Sequence, residues 1–477
     1  MIIMGKNIGK NYLYNLIYQI LLIISPLITT PYISRVLEPD GVGLYSYTNA
    51  IVSYFILFAT MGITTYGQRE ISYVQDNRDK RSQVFWNVKL LSIVNVCIWL
   101  IIYYIYIYYF SNNIYIYLIW GIAIVNISVD ITWFFQGLEE FKKIVIRNCF
   151  VKILDIIYIF IFVRTKEDIY LYIFGIVIFQ LLGNVILWKN IFKYIDKPIL
   201  KNLKPFKDIS TVLSLFIPTI AIQIYIVLDK IMIGYFTNDF LENGYYEQAT
   251  KISKLVLTIV ISLGVVMIPR IGYLFEKKQM DNVKEYMYKS YRFVWCLSLP
   301  LSIGLICISD NIVPWFFGTE YEKVSDVLKI SSLLIIFIGI NNITGIQYLI
   351  PTKRQHIFTR TVVIGTIVNI ICNFILIPKL YAIGAAISSV IAEAIIAIWQ
   401  LIIVKKELNL FIIVKYAKNY IIASFIMGII LFFEQQFFLP NIVDSFIMII
   451  TGVISYVLIL IYLKDRFFLS NIKKVKF

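Results

Sequence analysis

Charge is scarce in this sequence. Acidic and basic residues fill 15% of its 477 positions, against about 25% in soluble globular proteins, so a water-facing surface cannot be covered. Histidine is nearly missing. The single His356 sits in the basic stretch PTKRQHIFTR, where it reads as a solvated loop residue and not as a metal ligand. The five cysteines (Cys97, Cys149, Cys296, Cys307, Cys372) lie inside or at the edge of apolar stretches without a CxxC pair, and read as buried free thiols. The sequence has no GxxxxGK[ST] to cradle ATP, no GxSxG and no HExxH. ATP hydrolysis within this chain is excluded, and neither a cofactor nor a metal set is expected. The first residues, MIIMGKNIGKNYLYN, show no signal peptide with a small-residue cleavage site, so the first apolar segment is expected to be retained.

What is abundant is oil. Hydrophobic residues make up 59% of the chain and aromatics 16%, and the mean hydropathy is +0.78. Apolar stretches recur along the whole length, each of the roughly 20 residues that cross a ~30 Å hydrocarbon core as a helix. The expected fold is an all-α polytopic membrane protein. About fourteen segments are predicted, near 11–34, 43–66, 86–109, 115–137, 149–164, 169–189, 211–235, 247–269, 291–310, 324–349, 361–377, 383–404, 418–434 and 443–463.

The net charge of +15 would suit nucleic acid, but the basic residues stand in short blocks between apolar runs, so no nucleic-acid binding is expected. With the N-terminus placed in the cytoplasm, the loops and tails of that side hold 34 of the 44 Lys and Arg and the other side holds 8, with Lys89 and Lys230 inside helices. Cytoplasmic loops carry such an excess, which predicts an even number of crossings with both termini inside. External loops are short and leave no room for an extramembrane domain.

A faint repeat runs through the chain. GVGLYSYTNAIVSYF (43–57) aligns with ENGYYEQATKISKLV (242–256), and WFFQGLEEFKKIVIR (133–147) with IQYLIPTKRQHIFTR (346–360). Two similar six-helix lobes follow, 1–205 and 206–405, with an added helix pair and basic tail at 406–477. Transporters built from repeats hold substrate near mid-membrane. Pro26, Pro31, Pro218, Pro269 and Pro300 fall in or at the ends of segments. SPLITTPYISR (25–35) reads as a bendable stretch lining polar space, or equally as a static kink.

Charges inside apolar segments are the candidate site. Each costs about 2.5–3.5 kcal/mol at a helix centre unless it faces protein or a wet cavity. Asp229 and Lys230, in IQIYIVLDKIMIGYF, are about 100° apart on a helix. Lys251 and Lys254 share one face of the next helix. Both pairs are placed in the outer half of the membrane. A basic face beside an acid suits an anionic head group; the alternative is an ion pair stapling segments seven and eight. Glu393, among small and apolar residues, could couple transport to an ion gradient or stay protonated against a neighbouring backbone. Asp130 precedes an aromatic cluster of the kind that binds sugar rings or simply packs. Neutral Asn126, Gln136, Gln223, Asn341, Asn342, Gln347, Asn369 and Asn373 suit a hydroxyl-rich passenger better than a small inorganic ion.

Several stretches together carry a family resemblance: LITTPYISRVLEPDGVGLYSYT (27–48), DITWFFQGLEEFKKIVIRN (130–148), VLDKIMIG (227–234), GYYEQATKISK (244–254), SLGVVMIPR (262–270), GIQYLIPTKR (345–354) and IPKLYAIGAAISSVIAE (377–393). Over about residues 10–405 the chain resembles the Wzx-type polysaccharide flippases of the multidrug/oligosaccharidyl-lipid/polysaccharide exporter superfamily. The resemblance implies fourteen helices in two lobes around a central cavity. It implies alternating-access transport, with no enzyme activity, of an undecaprenyl-diphosphate-linked oligosaccharide from the inner to the outer leaflet of the bacterial cytoplasmic membrane, for capsule or O-antigen assembly. Membrane lipids and the polysaccharide polymerase and chain-length machinery are the implied partners. Arg35, Asp130, Asp229, Lys230, Tyr246, Lys251, Lys254 and Arg270 become cavity candidates, and Glu393 and Asp229 coupling candidates. Glu38 departs from the family, which commonly has glycine after SRVL, and LLIISPLITT (21–30) lacks the arginines of the lipid II branch. A drug/cation antiporter of the same superfamily is the nearest alternative, and a membrane polymerase a more distant one.

Overall fold

The computed structural model describes the backbone of residues 2–111, 113–199, 201, 203–262 and 264–475. Side chains are described from Leu21 to Ser470, apart from 112, 200, 202, 217–219, 221, 222, 224–226, 263, 265 and 266. The side chain of Pro218 therefore lies outside the described residues. Among these residues there is no strand. The helices are α1 (Ile2–Thr60), α2 (Ile63–Tyr73), α3 (Arg78–Phe110), α4 (Ile114–Val129), α5 (Thr132–Gly137), α6 (Phe141–Phe162) and α7 (Ile169–Trp188). After them come α8 (Ile209–Thr237), α9 (Phe240–Ile261), α10 (Gly264–Glu276), α11 (Met280–Phe317), α12 (Glu322–Ser331) and α13 (Leu334–Asn341). A π turn (Asn342–Leu349) leads to α14 (Gln355–Val404), α15 (Leu410–Gln435), α16 (Ile442–Tyr462) and α17 (Arg466–Val475).

Each predicted segment lies on helix. Nine described stretches are long and apolar enough to cross a bilayer. Two of them, Leu21–Tyr73 and Gln355–Val404, reach 53 and 50 residues, too long for one crossing of ~30 Å at 1.5 Å per residue. Each is folded at one non-helical residue, Glu38 (φ 56°, ψ 173°) and Tyr381 (φ 54°, ψ −129°), and so holds two crossings. Prolines flank both breaks, Pro39 and Pro378. Pro26 and Pro31 instead sit within continuous helix. There Thr29 Oγ1 donates to the Ser25 carbonyl (3.0 Å) and Ser34 Oγ to that of Thr30 (2.7 Å), so these hydroxyls spend their bonds on their own helix. The chain is a multi-pass membrane protein. Large apolar side chains on the helix exteriors, such as Ile101, Phe425 and Val453, present the lipid-compatible surface such a protein requires.

The chain divides into two compact units, residues 1–231 and 232–477. In the first, Leu37, Val52, Tyr103, Trp120 and Ile173 form one apolar core and Ile71, Phe85, Trp133 and Phe134 another. In the second, Met287, Tyr291, Ile335 and Tyr348 form the main core. Tyr420, Met427, Met448 and Leu460 of α15 and α16 pack on Leu299 and Ile308 of α11. The break at Tyr381 frees the amide of Ala382, which donates to the buried carboxylate of Glu242 (3.1 Å). Lys323 reaches the other oxygen of Glu242 at 3.3 Å.

Candidate functional site

In the first unit, α4 stops at Val129 inside the membrane, and its last carbonyls need partners from elsewhere. Lys89, 3% exposed on α3, donates to the Ser128 carbonyl. Trp188 Nε1 donates to that of Val129 (2.7 Å), and the Lys89 ammonium lies 4.7 Å from the Trp188 ring centre. Asp130 starts the next helix by accepting from Thr132 N (2.8 Å) and Thr132 Oγ1 (3.0 Å), and its charge acts on Lys89. Asn184 Nδ2 donates to Asn126 Oδ1 (2.8 Å) and Arg147 donates to Asn184. Asp130 is thus bound into a polar knot that lets a helix end within lipid. Arg35 is exposed, Asp229 is buried beside Tyr54, whose phenol feels its charge, and Lys230 is half-buried.

In the second unit, Tyr246 is buried with its hydroxyl 3.5 Å from Ser389 Oγ. Asn369 Nδ2 also reaches that oxygen at 3.5 Å, and Asn373 Nδ2 donates to Asn369 Oδ1 (3.2 Å). Glu393 is buried and accepts from Asn341 Nδ2, which also reaches its backbone carbonyl (3.2 Å). Side-chain carbonyl oxygens of Asn341, Gln347 and Gln400 are buried without a partner.

Lys251 and Lys254 stand on the other side of α9. Tyr246, Ala249, Ser253 and Leu257 are buried, whereas Glu247 and Lys251 are half-buried and Lys254 and Thr258 exposed. The helix begins at Phe240, earlier than its apolar segment suggests, which places Lys251 about 16 Å and Lys254 about 21 Å along the axis. Arg270 is exposed, its guanidinium 5.4 Å from the Tyr286 ring centre. The sequence thus found the charged edge of α9 and the neutral ladder facing α14. It missed Lys89 and Trp188, whose signal was a lone lysine in an apolar segment and a tryptophan at a segment's end.

The family model described as polysaccharide biosynthesis protein matches residues 8–275, more than half the chain. The chain belongs to that family. A second model, MatE, matches residues 214–375. Of the polysaccharide biosynthesis family's neighbours, an Escherichia coli (strain K12) protein named for O-antigen transport is 25% identical over 409 residues, 84% of this chain and 97% of that protein. A Haloferax volcanii protein named as a low-salt glycan biosynthesis flippase, Agl15, is 24% identical over 267 residues, 55% of each. Among solved structures, the lipid II flippase MurJ in an inward closed conformation superposes with a TM-score of 0.76 at 19% identity, covering 94% of this chain and 99% of that one. An inward-facing multidrug resistance MATE transporter of the MOP superfamily gives 0.64 at 12%, covering 80% and 94%. At those identities the likeness is one of fold.

Proposed function

We propose that this family member is a transporter, not an enzyme, that moves an undecaprenyl-diphosphate-linked oligosaccharide from the inner to the outer leaflet of a bacterial cytoplasmic membrane for capsule or O-antigen-type assembly. In this reading both termini are cytoplasmic, residues 1–205 and 206–405 are the repeat lobes, and 406–477 is an added helix pair with a basic tail. The carrying observation is the Glu247–Lys251–Lys254 edge of α9, an ionic face that is half-buried to exposed within an apolar segment of the sequence. Facing lipid tails, such charges would cost several kcal/mol each, and a wet chamber that admits a charged passenger lowers that cost. A diphosphate carries the complementary charge, and Arg35 and Arg270 extend the basic set. The family match and the relatives named for O-antigen transport and glycan flipping support the same class of passenger.

Glu393 is the coupling candidate, a buried carboxylate that accepts from the side-chain amide of Asn341. Asp229 is the second. Asp130, whose carboxylate accepts from Thr132, remains a passenger candidate. The MatE match keeps a drug antiporter in view, but a net basic accessible face repels organic cations.

The test is Lys251→Ala with Lys254→Ala in a host that relies on this chain for surface polysaccharide. The double variant should reach the membrane at normal level and display no polymer, while the double arginine variant should retain display. Normal polymer from the alanine variant would end the case for these lysines. Unchanged polymer together with loss of organic-cation efflux would favour the antiporter.

A further inference from the structure

Two surface cavities occupy corresponding places in the repeat. In the first unit, one of about 210 Å³ lies where the start of α3 meets the chain after α7, lined by Asp79, Lys80, Trp86, Asp196 and Lys197 among others. In the second unit, one of about 670 Å³ lies where the start of α11 meets the α14–α15 link, lined by Lys284, Tyr288, Lys405, Lys406, Glu407 and Phe411 among others.

Their charge differs. The first cavity balances two lysines with two aspartates, and Asp196 also accepts from Arg78 Nε at 3.0 Å. The second sets three lysines against a single carboxylate, and that carboxylate is already engaged. Arg354 Nη1 donates to Glu407 Oε1 (2.6 Å) and the Tyr348 hydroxyl to the other oxygen. Burial alone would raise the Glu407 carboxyl, but the hydrogen bonds from Tyr348 and Arg354 outweigh it and hold it below the usual range. Lys405 and Lys406 are exposed and make no ion pair among the described residues, and Lys284 makes a loose 3.7 Å approach to fully exposed Asp281 and acts by its charge on Glu407. Among the described residues the cavity therefore keeps an excess of positive charge, three lysines against one carboxylate that Arg354 already engages.

Its depth is set by α15. Asn409 caps that helix, accepting from Phe411 N (3.0 Å), and the exposed residues then run Phe411, Val414, Lys415 and Lys418. Beyond them, Ile421, Phe425 and Ile429 are apolar. Mixed lysine and apolar side chains giving way to apolar ones mark the passage from head groups to hydrocarbon. The cavity opens at the head-group end of this gradient, with Phe411, 73% exposed, as its wall on the lipid side.

We propose that this second-unit cavity binds the phosphate head group of an anionic phospholipid, with Lys284, Lys405 and Lys406 around the phosphate and the acyl chains running past Phe411 and Val414. The charge asymmetry between the cavities assigns the lipid to one unit. A freely soluble phosphate would gain nothing from the apolar wall.

The test uses the purified full chain in mild detergent, titrated with phosphatidylglycerol and read by native mass spectrometry. Substituting Lys284, Lys405 and Lys406 together by glutamine should weaken phosphatidylglycerol binding by on the order of tenfold or more, because basic residues at an anionic surface act nearly additively. The triple arginine variant should bind as well as the natural chain. Lys80→Gln with Lys197→Gln, in the balanced cavity, should change binding less than about twofold. The proposal is overturned if the triple glutamine variant binds normally, if both glutamine variants lose binding equally, or if millimolar inorganic phosphate displaces the lipid. The readout is bound lipid and not transport, so failure here leaves the flipping proposal standing.

Discussion

The predicted crossings 115–137 and 324–349, one in each unit, are broken at corresponding places, and they satisfy the break with different chemistry. In the first, the turn after α5 puts Glu139 at φ 59°, with Glu139 N donating to Gln136 O (3.0 Å) and Glu140 N to Phe135 O (2.9 Å). In the second, Lys353 has φ 62°, with Lys353 N donating to Ile350 O (3.0 Å) and Arg354 N to Leu349 O (2.8 Å). The next helix starts two residues later in both cases. Upstream of this shared turn the first unit has an interruption at the extended Asp130 and at Ile131, and the second a helical turn at Ser332 and Leu333 followed by a π turn. The third helices differ in step. Lys89 and Tyr291 stand eleven residues after the first residue of α3 and α11. Lys89 bonds the stranded Ser128 carbonyl, and the Tyr291 hydroxyl lies 2.7 Å from Thr344 Oγ1. An ionic clamp holds a complete break, and a neutral one holds a bulge.

Removing the ionic clamp gives the largest expected effect. Lys89→Ala leaves the Ser128 carbonyl without its charged donor and removes the cation that Asp130 acts on, and should cost about 3 kcal/mol, as for losing a hydrogen bond from a charged group. Thermal unfolding in detergent measures it. Combining Lys89→Met with Asp130→Asn should be milder than Lys89→Ala, because removing both charges leaves neither stranded. A double variant as unstable as the single would show that the clamp is not ionic.

Two further ion pairs sharpen the contrast at intermediate size. Arg292 Nη2 donates to both oxygens of Asp465, each at 3.0 Å, and Asn419 and Tyr420 add further bonds. In the first unit, Arg78 and Asp196 pair at 3.0 Å with both side chains about half exposed. Burial alone would raise the Asp465 carboxyl, but the amide of Phe468, Asn419 and Arg292 outweigh it and lower it. A lowered carboxylate contributes stability above its unfolded value of about 3.9 and loses it as pH falls through the folded value. Asp465→Asn should cost about 2 kcal/mol at neutral pH and make the unfolding temperature less sensitive to acid below about pH 4. Asp196→Asn should cost less than about 1 kcal/mol. Equal losses would erase the distinction.

A smaller effect belongs to the neutral clamp. Tyr291→Phe removes one hydroxyl from a buried pair and should cost about 1 kcal/mol, several-fold less than Lys89→Ala at the matching position. If the two changes proved equal, the argument from clamp chemistry would fail.

These contrasts also explain what could be read from the sequence. The predicted apolar segments all fall on helix, because hydrocarbon thickness sets their length and leaves little freedom. Helix ends were harder. α3, α6, α11 and α14 begin six to eleven residues before their apolar segments, because lysine and arginine form helix well in water while hydropathy registers only the oily part. α9 starts early for another reason: Glu242 and Asn243 are polar yet buried. α17 was missed because ten mixed residues carry no membrane signal. The charged edge of α9 was legible from spacing alone. The role of Asp130 was not, since it depends on Lys89 and Trp188, which lie 41 and 58 residues away in the chain.

The smallest effect tests the turns between the first and second crossings of each unit. Glu38 holds φ 56°, ψ 173°, a region essentially reserved for glycine and costing about 1–3 kcal/mol for other residues. The resemblance to the flippase family reserves that position for glycine, and the turn forms here without one. Glu38 gains little in return, since Lys166 approaches it only at 3.9 Å with both side chains well exposed, a pairing worth less than about 1 kcal/mol. The corresponding turn of the second unit uses Asn238 at φ 51°, and asparagine tolerates positive φ far better than glutamate. Glu38→Gly should therefore stabilise the full chain by about 1 kcal/mol, and Asn238→Gly should change stability by less than about 0.5 kcal/mol. Destabilisation by Glu38→Gly would mean that the glutamate makes a contact worth more than its backbone strain, and the departure from the family would then be an adaptation of the turn.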